Sequence, residues 1–355
     1  MNAKELEKIS SQPIFFERNR VFRVYRGGKL FSGFFGDPDE DSSLPEEWVA
    51  SGVKALNRES KSEFEGVSRV KGTDIYFNRL LENCKEQLLG QRASFDILVK
   101  VLDSAIRLPV QAHPDRAFSR KYFNSNFGKT EAWLILATRK NASIFFGFKD
   151  GITEEDFRQA IKDSEHDKTA MEKLICRVPA KPGDVYLIPA KTVHAIGYGC
   201  LILEIQEPTD FTIQPEAWCG DYRLNDYEMY LGIPVDTAME CFDFTINGKK
   251  ALEMGKKEPR LIASSNSYRS ESLISYDDTE CFALNRHFVK GGSMTLSNAP
   301  SVILVLDGKG EITGKDYVKS ISKGDYFFFP YSACGKFDIK SDTGITTAEC
   351  LCSKL

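Results

Sequence analysis

Apolar residues along this chain gather into short runs with the spacing of strands, interrupted by only two stretches with the spacing of helices. Up to about residue 70 Gly and Pro punctuate the pattern, with an acidic turn at Asp37-Pro38-Asp39-Glu40-Asp41. Leu80, Leu81, Cys84 and Leu88 then recur at helical spacing and predict a helix over about 74–91. Segments 95–102, 131–137, 143–148, 184–188 and 201–206 read as strands. Among them Thr153-Glu154-Glu155 opens a helix, a capping hydroxyl followed by acids in the first turn. Residues 221–236 read as irregular or helical, and 247–270, polar and rich in Lys and Ser, as a connection. Further strands are expected at 282–289, 293–296, 301–306, 310–313, 326–329 and 346–350. Short, closely spaced strands with Gly turns predict a mainly β protein of the sandwich or jelly-roll kind. No helix–strand alternation or phosphate-binding Gly loop supports a doubly wound nucleotide fold.

One echo is informative. Gly183-Asp184, four apolar or aromatic residues and Pro189 return about 140 residues later as Gly324-Asp325, four more and Pro330. A turn feeding a buried strand that stops at Pro has a structural reason, and its recurrence predicts two related β-barrels in tandem. Five residues after the Pro stands His194 in the first copy and Gly335 in the second, so only the first offers a ligand there.

At 355 residues the chain exceeds one typical core. A net charge of −4, with no basic stripe, argues against a nucleic-acid surface. No run approaches the roughly 18 apolar residues of a membrane helix, and Met1-Asn2-Ala3-Lys4-Glu5 does not read as a signal peptide. Nine scattered cysteines, an odd number, suggest reduced thiols and a cytoplasmic setting. Cys350 and Cys352 read as incidental.

The candidate chemistry lies in two segments, Gln111-Ala112-His113-Pro114 with Gly128-Lys129-Thr130-Glu131, and Pro189-Ala190-Lys191-Thr192-Val193-His194. They hold two of the four histidines. Two imidazoles, a carboxylate and an amide oxygen on strand scaffolds suit a divalent cation. Alone, His113 would read as a hydrogen-bonded strand histidine. His166 and His287 read as surface or packing residues, Trp133 and Tyr326-Phe327-Phe328-Phe329 as core, and Glu204 as a buttress.

The spacing Gly183-x5-Pro189-x-Lys191-x2-His194 resembles the second cupin motif, with Lys191 at its last Gly. Gln111-x-His113 followed by Glu131 resembles the first. With Leu98-Val99-Lys100-Val101-Leu102-Asp103, Gln111-Ala112-His113-Pro114-Asp115, Thr192-Val193-His194-Ala195-Ile196 and Leu203-Glu204-Ile205-Gln206, residues 20–215 resemble type I phosphomannose isomerase, also called mannose-6-phosphate isomerase. The resemblance implies tandem cupin domains with helical insertions. A catalytic domain would span 1–245, and a barrel lacking metal ligands 246–355. It implies one Zn2+ per chain held by Gln111, His113, Glu131 and His194, and a sugar phosphate as small-molecule partner. Lys129 would position substrate or relay a proton, with Lys100 also in the pocket. Two positions depart from the family pattern. Pro109 replaces a hydroxyl residue expected at phosphate, and Gln214 stands where an Arg facing the sugar is expected; Arg223 is the candidate to reach inward in its place. The implied activity interconverts mannose 6-phosphate and fructose 6-phosphate. A metal-containing sugar-phosphate-binding or regulatory cupin, or an isomerase of another sugar, stays open, as does the oligomeric state.

Overall fold

The computed structural model describes residues 3–57 and 62–354; Met1 and Asn2 of the charged N-terminal stretch lie outside the described residues. Antiparallel strands dominate, in two large sheets. The first runs, edge to edge, Lys256–Lys257, Val185–Ile188, Glu131–Thr138, Cys200–Gln206, Leu98–Asp103, Glu46–Val49 and Arg20–Val21. A smaller sheet of Ile175–Pro179, Ser143–Phe148 and His194–Ile196 accompanies it. The second large sheet is built around Ser301–Gly314, which pairs with Tyr326–Phe329 and Ile345–Leu351. The chain crosses between the two twice. Ile14–Phe15 adds to the Tyr326–Phe329 strand, and Lys256–Lys257 adds to Val185–Ile188.

Strand alternation explains the packing. In Ala283–Val289 and Ile345–Leu351, Leu284, Ala348 and Cys350 join an apolar layer with Val99, Val101, Leu134 and Leu203 of the first sheet. Val289 and Ile345, on the opposite face, join Ile303, Phe327 and Phe329 inside the second barrel. The aromatic run is therefore core, as expected. On the other side of the first sheet Trp133, Tyr186 and Ile202 pack with Phe146 and Phe148.

Several elements depart from the expected pattern. The helix expected over 74–91 breaks at Cys84 into Phe77–Asn83 and Lys85–Leu89. The stretch 247–270 is no plain connection; it holds a helix, Gly248–Gly255, and strands including Arg260–Ser264, an exposed strand at a sheet edge that leaves Leu261 and Ile262 in solvent. The expected strands at 301–306 and 310–313 are one strand, Ser301–Gly314, irregular between Val305 and Asp307. The predicted cap at Thr153 is present, accepting from the Asp156 amide and starting helix Glu154–Asp163. All nine cysteines are free thiols. Among the described residues no helix is long and apolar enough to cross a membrane.

Candidate metal centre and its cavity

Three chain segments bring the predicted ligands together. Gln111 and His194 face each other across an antiparallel bridge, exchanging backbone hydrogen bonds of 2.9 Å in both directions. His113 follows two residues later on the same face, and its carbonyl accepts from the Lys191 amide at 2.8 Å. Glu131 opens its strand opposite Ile188 and Gln206. The approach is tight at Gly128, where a Cβ would lie 2.7 Å from the Pro114 carbonyl oxygen. His113, Glu131 and His194 are each 1% exposed or less, with one ligand atom from each within 4.8 Å of the others.

Hydrogen bonds fix the tautomers. His113 Nδ1 donates to the Phe211 carbonyl at 2.9 Å, and His194 Nδ1 donates to the Thr192 carbonyl at 2.8 Å. Both rings therefore keep a lone pair on Nε2, and both Nε2 atoms point at Glu131, 3.1 Å from Oε2 and 3.4 Å from Oε1. Burial, with the Lys129 charge, pushes the His113 imidazole down to about 3, and burial likewise lowers His194. These are neutral rings, so their contacts with Glu131 are not ion pairs. Burial opposes ionisation of Glu131, but its surroundings, led by the Lys129 ammonium, hold the carboxyl well below its ordinary range. Its Oε2 accepts no well-formed hydrogen bond. Two neutral imidazoles and a buried carboxylate are a donor set for a divalent cation. The Gln111 amide touches His194 Nε2 at 3.2 Å, and a half-turn of that amide presents its oxygen instead.

Beside this cluster opens a cavity of about 690 Å3, lined among others by Gln111, Lys129, Lys100, Glu204, Asp210, Arg23, Pro109 and Gln214. Lys129 Nζ lies 2.8 Å from His113 Nε2 and 3.1 Å from Glu131 Oε2. Lys100 Nζ is 3.4 Å from Glu204 Oε1 and 3.9 Å from Asp210 Oδ1. Burial would lower this lysine, but Glu204, Glu46 and Asp210 outweigh it and keep the ammonium charged. The Trp133 indole N–H reaches both Glu131 Oε1 (3.1 Å) and Glu204 Oε2 (3.2 Å). Burial and the neighbouring Glu131 charge push the Glu204 carboxyl up to about 7.

Not every predicted residue arrives. Gln214 lines the cavity, its amide donating to the Glu228 carbonyl. Arg223 does not reach it; this side chain is exposed, ion-paired with Glu165 and beside the Trp218 ring. The rescue expected of Arg223 therefore fails, because its short strand pairs with Trp218–Cys219 at the surface. Two cavity residues escaped the sequence reading. Glu204 was legible as a charge inside an apolar strand but read as a buttress. Arg23 sits in the irregular N-terminal stretch, where no periodicity points inward.

No family model matches the chain. The curated mannose-6-phosphate isomerase ManA of Bacillus subtilis is 31% identical over 274 residues, 76% of this chain and 77% of its own. The chain belongs to the mannose-6-phosphate isomerase family. The fold agrees. The crystal structure of the Bacillus subtilis mannose 6-phosphate isomerase matches with a TM-score of 0.75 at 23% identity, over 95% of this chain and 99% of that one. A mannose 6-phosphate isomerase solved with zinc and yttrium matches at 0.68 and 14% identity, over 97% and 100%. This mannose-6-phosphate isomerase family member thus has the cupin-type β architecture expected from its motifs.

Proposed function

We propose that the cavity interconverts mannose 6-phosphate and fructose 6-phosphate, with one zinc ion held by His113, Glu131 and His194 and completed by Gln111. The observation that carries this reading is the pair of Nδ1–H···O=C bonds that turn both Nε2 lone pairs onto Glu131, beside a cavity able to take a sugar phosphate. When bound, zinc supplies polarisation of the sugar carbonyl and hydroxyl and stabilises the developing oxyanion.

The remaining work belongs to side chains. Moving hydrogen between C2 and C1 through an enediol requires a group that accepts and returns a proton near neutral pH. Glu204, a buried carboxyl that burial and the Glu131 charge push up to about 7 in the metal-free protein and whose Oε1 faces the Lys100 ammonium at 3.4 Å, suits that role. Lys129 lines the same cavity as a cation and orients a substrate oxygen. Lys100 holds Glu204 and Asp210 in place, and Gln214 offers a neutral donor. The division into a catalytic unit at 1–245 and a ligand-free barrel at 246–355 is part of the same reading, as is a reducing cytoplasmic setting for nine free thiols.

The test is turnover of mannose 6-phosphate by the zinc-loaded protein beside His194→Ala. Turnover that vanishes in the variant supports the isomerase. None above the variant, with zinc bound, overturns it and leaves a binding role.

A further inference from the structure

We propose that Arg23 is the residue that anchors the substrate's phosphate, a role that rests on the isomerase reading of the cavity. Three cations line that cavity among the described residues, Arg23, Lys100 and Lys129, against the acids Glu46, Glu204, Asp210 and Glu228. Acids outnumber bases, so a phosphate dianion is not drawn in by a general positive field. It needs directed hydrogen bonds from a group whose geometry is already fixed. Lys129 is committed to the metal ligands, and Lys100 is enclosed by Glu204, Asp210 and the Trp48 ring. Their side chains are 5% and 4% exposed, whereas that of Arg23 is 14% exposed.

The guanidinium is locked along one edge only. Nε donates to Glu46 Oε1 at 3.0 Å, and Nη2 donates to both Asp210 oxygens at 3.1 and 3.2 Å. Glu46 is held in turn by the Tyr25 hydroxyl and the Trp48 indole, both at 2.7 Å. Among the described residues the remaining end, Nη1, donates to the neutral Asn57 amide oxygen at 3.0 Å, and Asn57 lines the cavity as well. Two carboxylates thus preorganise the guanidinium and leave Nη1 for a new charge-assisted bond.

Position agrees with the substrate's shape. A chain of contacts runs from Glu131 through Trp133, Glu204, Lys100 and Asp210 to Arg23. Arg23 therefore lies at the end of the network away from the metal ligands. In a hexose 6-phosphate the reacting C1 and C2 and the phosphate are likewise at opposite ends. Pro109 and Gln214, which also line the cavity, supply no charge.

Two variants test the role, each measured by steady-state kinetics with mannose 6-phosphate and by competitive inhibition with inorganic phosphate. Arg23→Gln removes the guanidinium. Asn57→Asp keeps Arg23, Glu46 and Asp210 and sets a carboxylate against Nη1, while also removing the amide's hydrogen bonds to the Phe22 carbonyl and Glu65. In both, KM and the phosphate inhibition constant are expected to rise together by about 10- to 100-fold, as for loss of a charged hydrogen bond, while kcat stays within about threefold. A fall in kcat with an unchanged phosphate inhibition constant assigns Arg23 to structure and overturns the anchor. Unchanged kinetics in Asn57→Asp overturns it too. Wild-type protein that turns over no mannose 6-phosphate would instead remove the isomerase reading itself.

Discussion

Strand register superimposes the two barrels, and the same positions in each have opposite contents. The Gly183-Asp184 and Gly324-Asp325 turns are built alike. The Gly amide donates to Ile135 in one and Val305 in the other, and the Asp carboxylate accepts from the amide three residues back, Lys181 or Ser322. Glu131 opposite Ile188 then corresponds to Ser301 opposite Phe329. Glu204 opposite Trp133 and Lys100 corresponds to Glu349 opposite Ile303 and Asn285. Both barrels thus bury a glutamate at one point. Glu349 Oε2 accepts from His287, Asn285 and Asn298 at 2.9–3.1 Å, and His287 Nδ1 continues to the Ser270 hydroxyl. Burial would raise this carboxyl, but these donors outweigh it and lower it. In the first barrel Glu204 faces a cavity, is underbonded and is raised. A barrel that has closed its polar layer gains order; one that leaves it open keeps a reactive group.

The comparison is broken most severely at the ligand position. Glu131→Ala is expected to abolish zinc retention and cut turnover by about 1000-fold or more, whereas Ser301→Ala at the equivalent point leaves both within about twofold. Metal analysis and turnover assays check the pair; equal losses would erase the distinction between the barrels.

The two glutamates should then differ in stability, read by denaturant unfolding of metal-free protein. Glu349→Ala strands two buried donors, His287 and Asn285, beside the exposed Asn298, and is expected to cost about 3 kcal/mol. Their pH dependence has opposite sign. The unfolded carboxyl titrates near 4.5 and folded Glu204 near 7, so its contribution is complete below 4.5 and is lost as pH rises to 7. Glu204→Gln should therefore gain on wild type as pH rises from about 4.5 to about 7. Glu349, lowered on folding, contributes above 4.5 and loses that contribution in acid. The deficit of Glu349→Gln should thus shrink in acid, and parallel profiles for the two would sink the argument.

The smallest effect lies just after the shared Pro. Lys191 occupies φ +68°, where the cupin pattern has Gly, while the second copy turns instead into a short helical segment at Tyr331–Ala333. Relief of left-handed strain worth about 1 kcal/mol, less about 0.5 kcal/mol of chain entropy, predicts that Lys191→Gly gains about 0.5 kcal/mol. Its surface pair with Asp115 at 3.3 Å should matter little. Thermal unfolding measures the difference, and a loss would show that the ion pair outweighs the strain.

Most of the fold was legible because strand periodicity and Gly-Asp turns are local signals. The helix over 74–91 was legible as helix but not its break at Cys84, and 247–270 was misread because its short helix and edge strand lie between Lys- and Ser-rich flanks. In the site, His113, Glu131 and His194 were legible from motif spacing, and Lys129 and Lys100 from the family resemblance. Arg223 misled because nine residues along the chain from Gln214 carry no information about side-chain direction.

By itself the sequence determined which residues can be ligands, that the pattern repeats, and that the second copy has Gly335 where the first has His194. Those properties depend on side-chain identity and short spacing. Only the tertiary structure decided which nitrogen of each imidazole is free, that Glu204 is raised while Glu349 is lowered, and that Arg23 lines the cavity that Arg223 does not reach. Each of these depends on desolvation and on partners brought from distant strands, which no local pattern encodes.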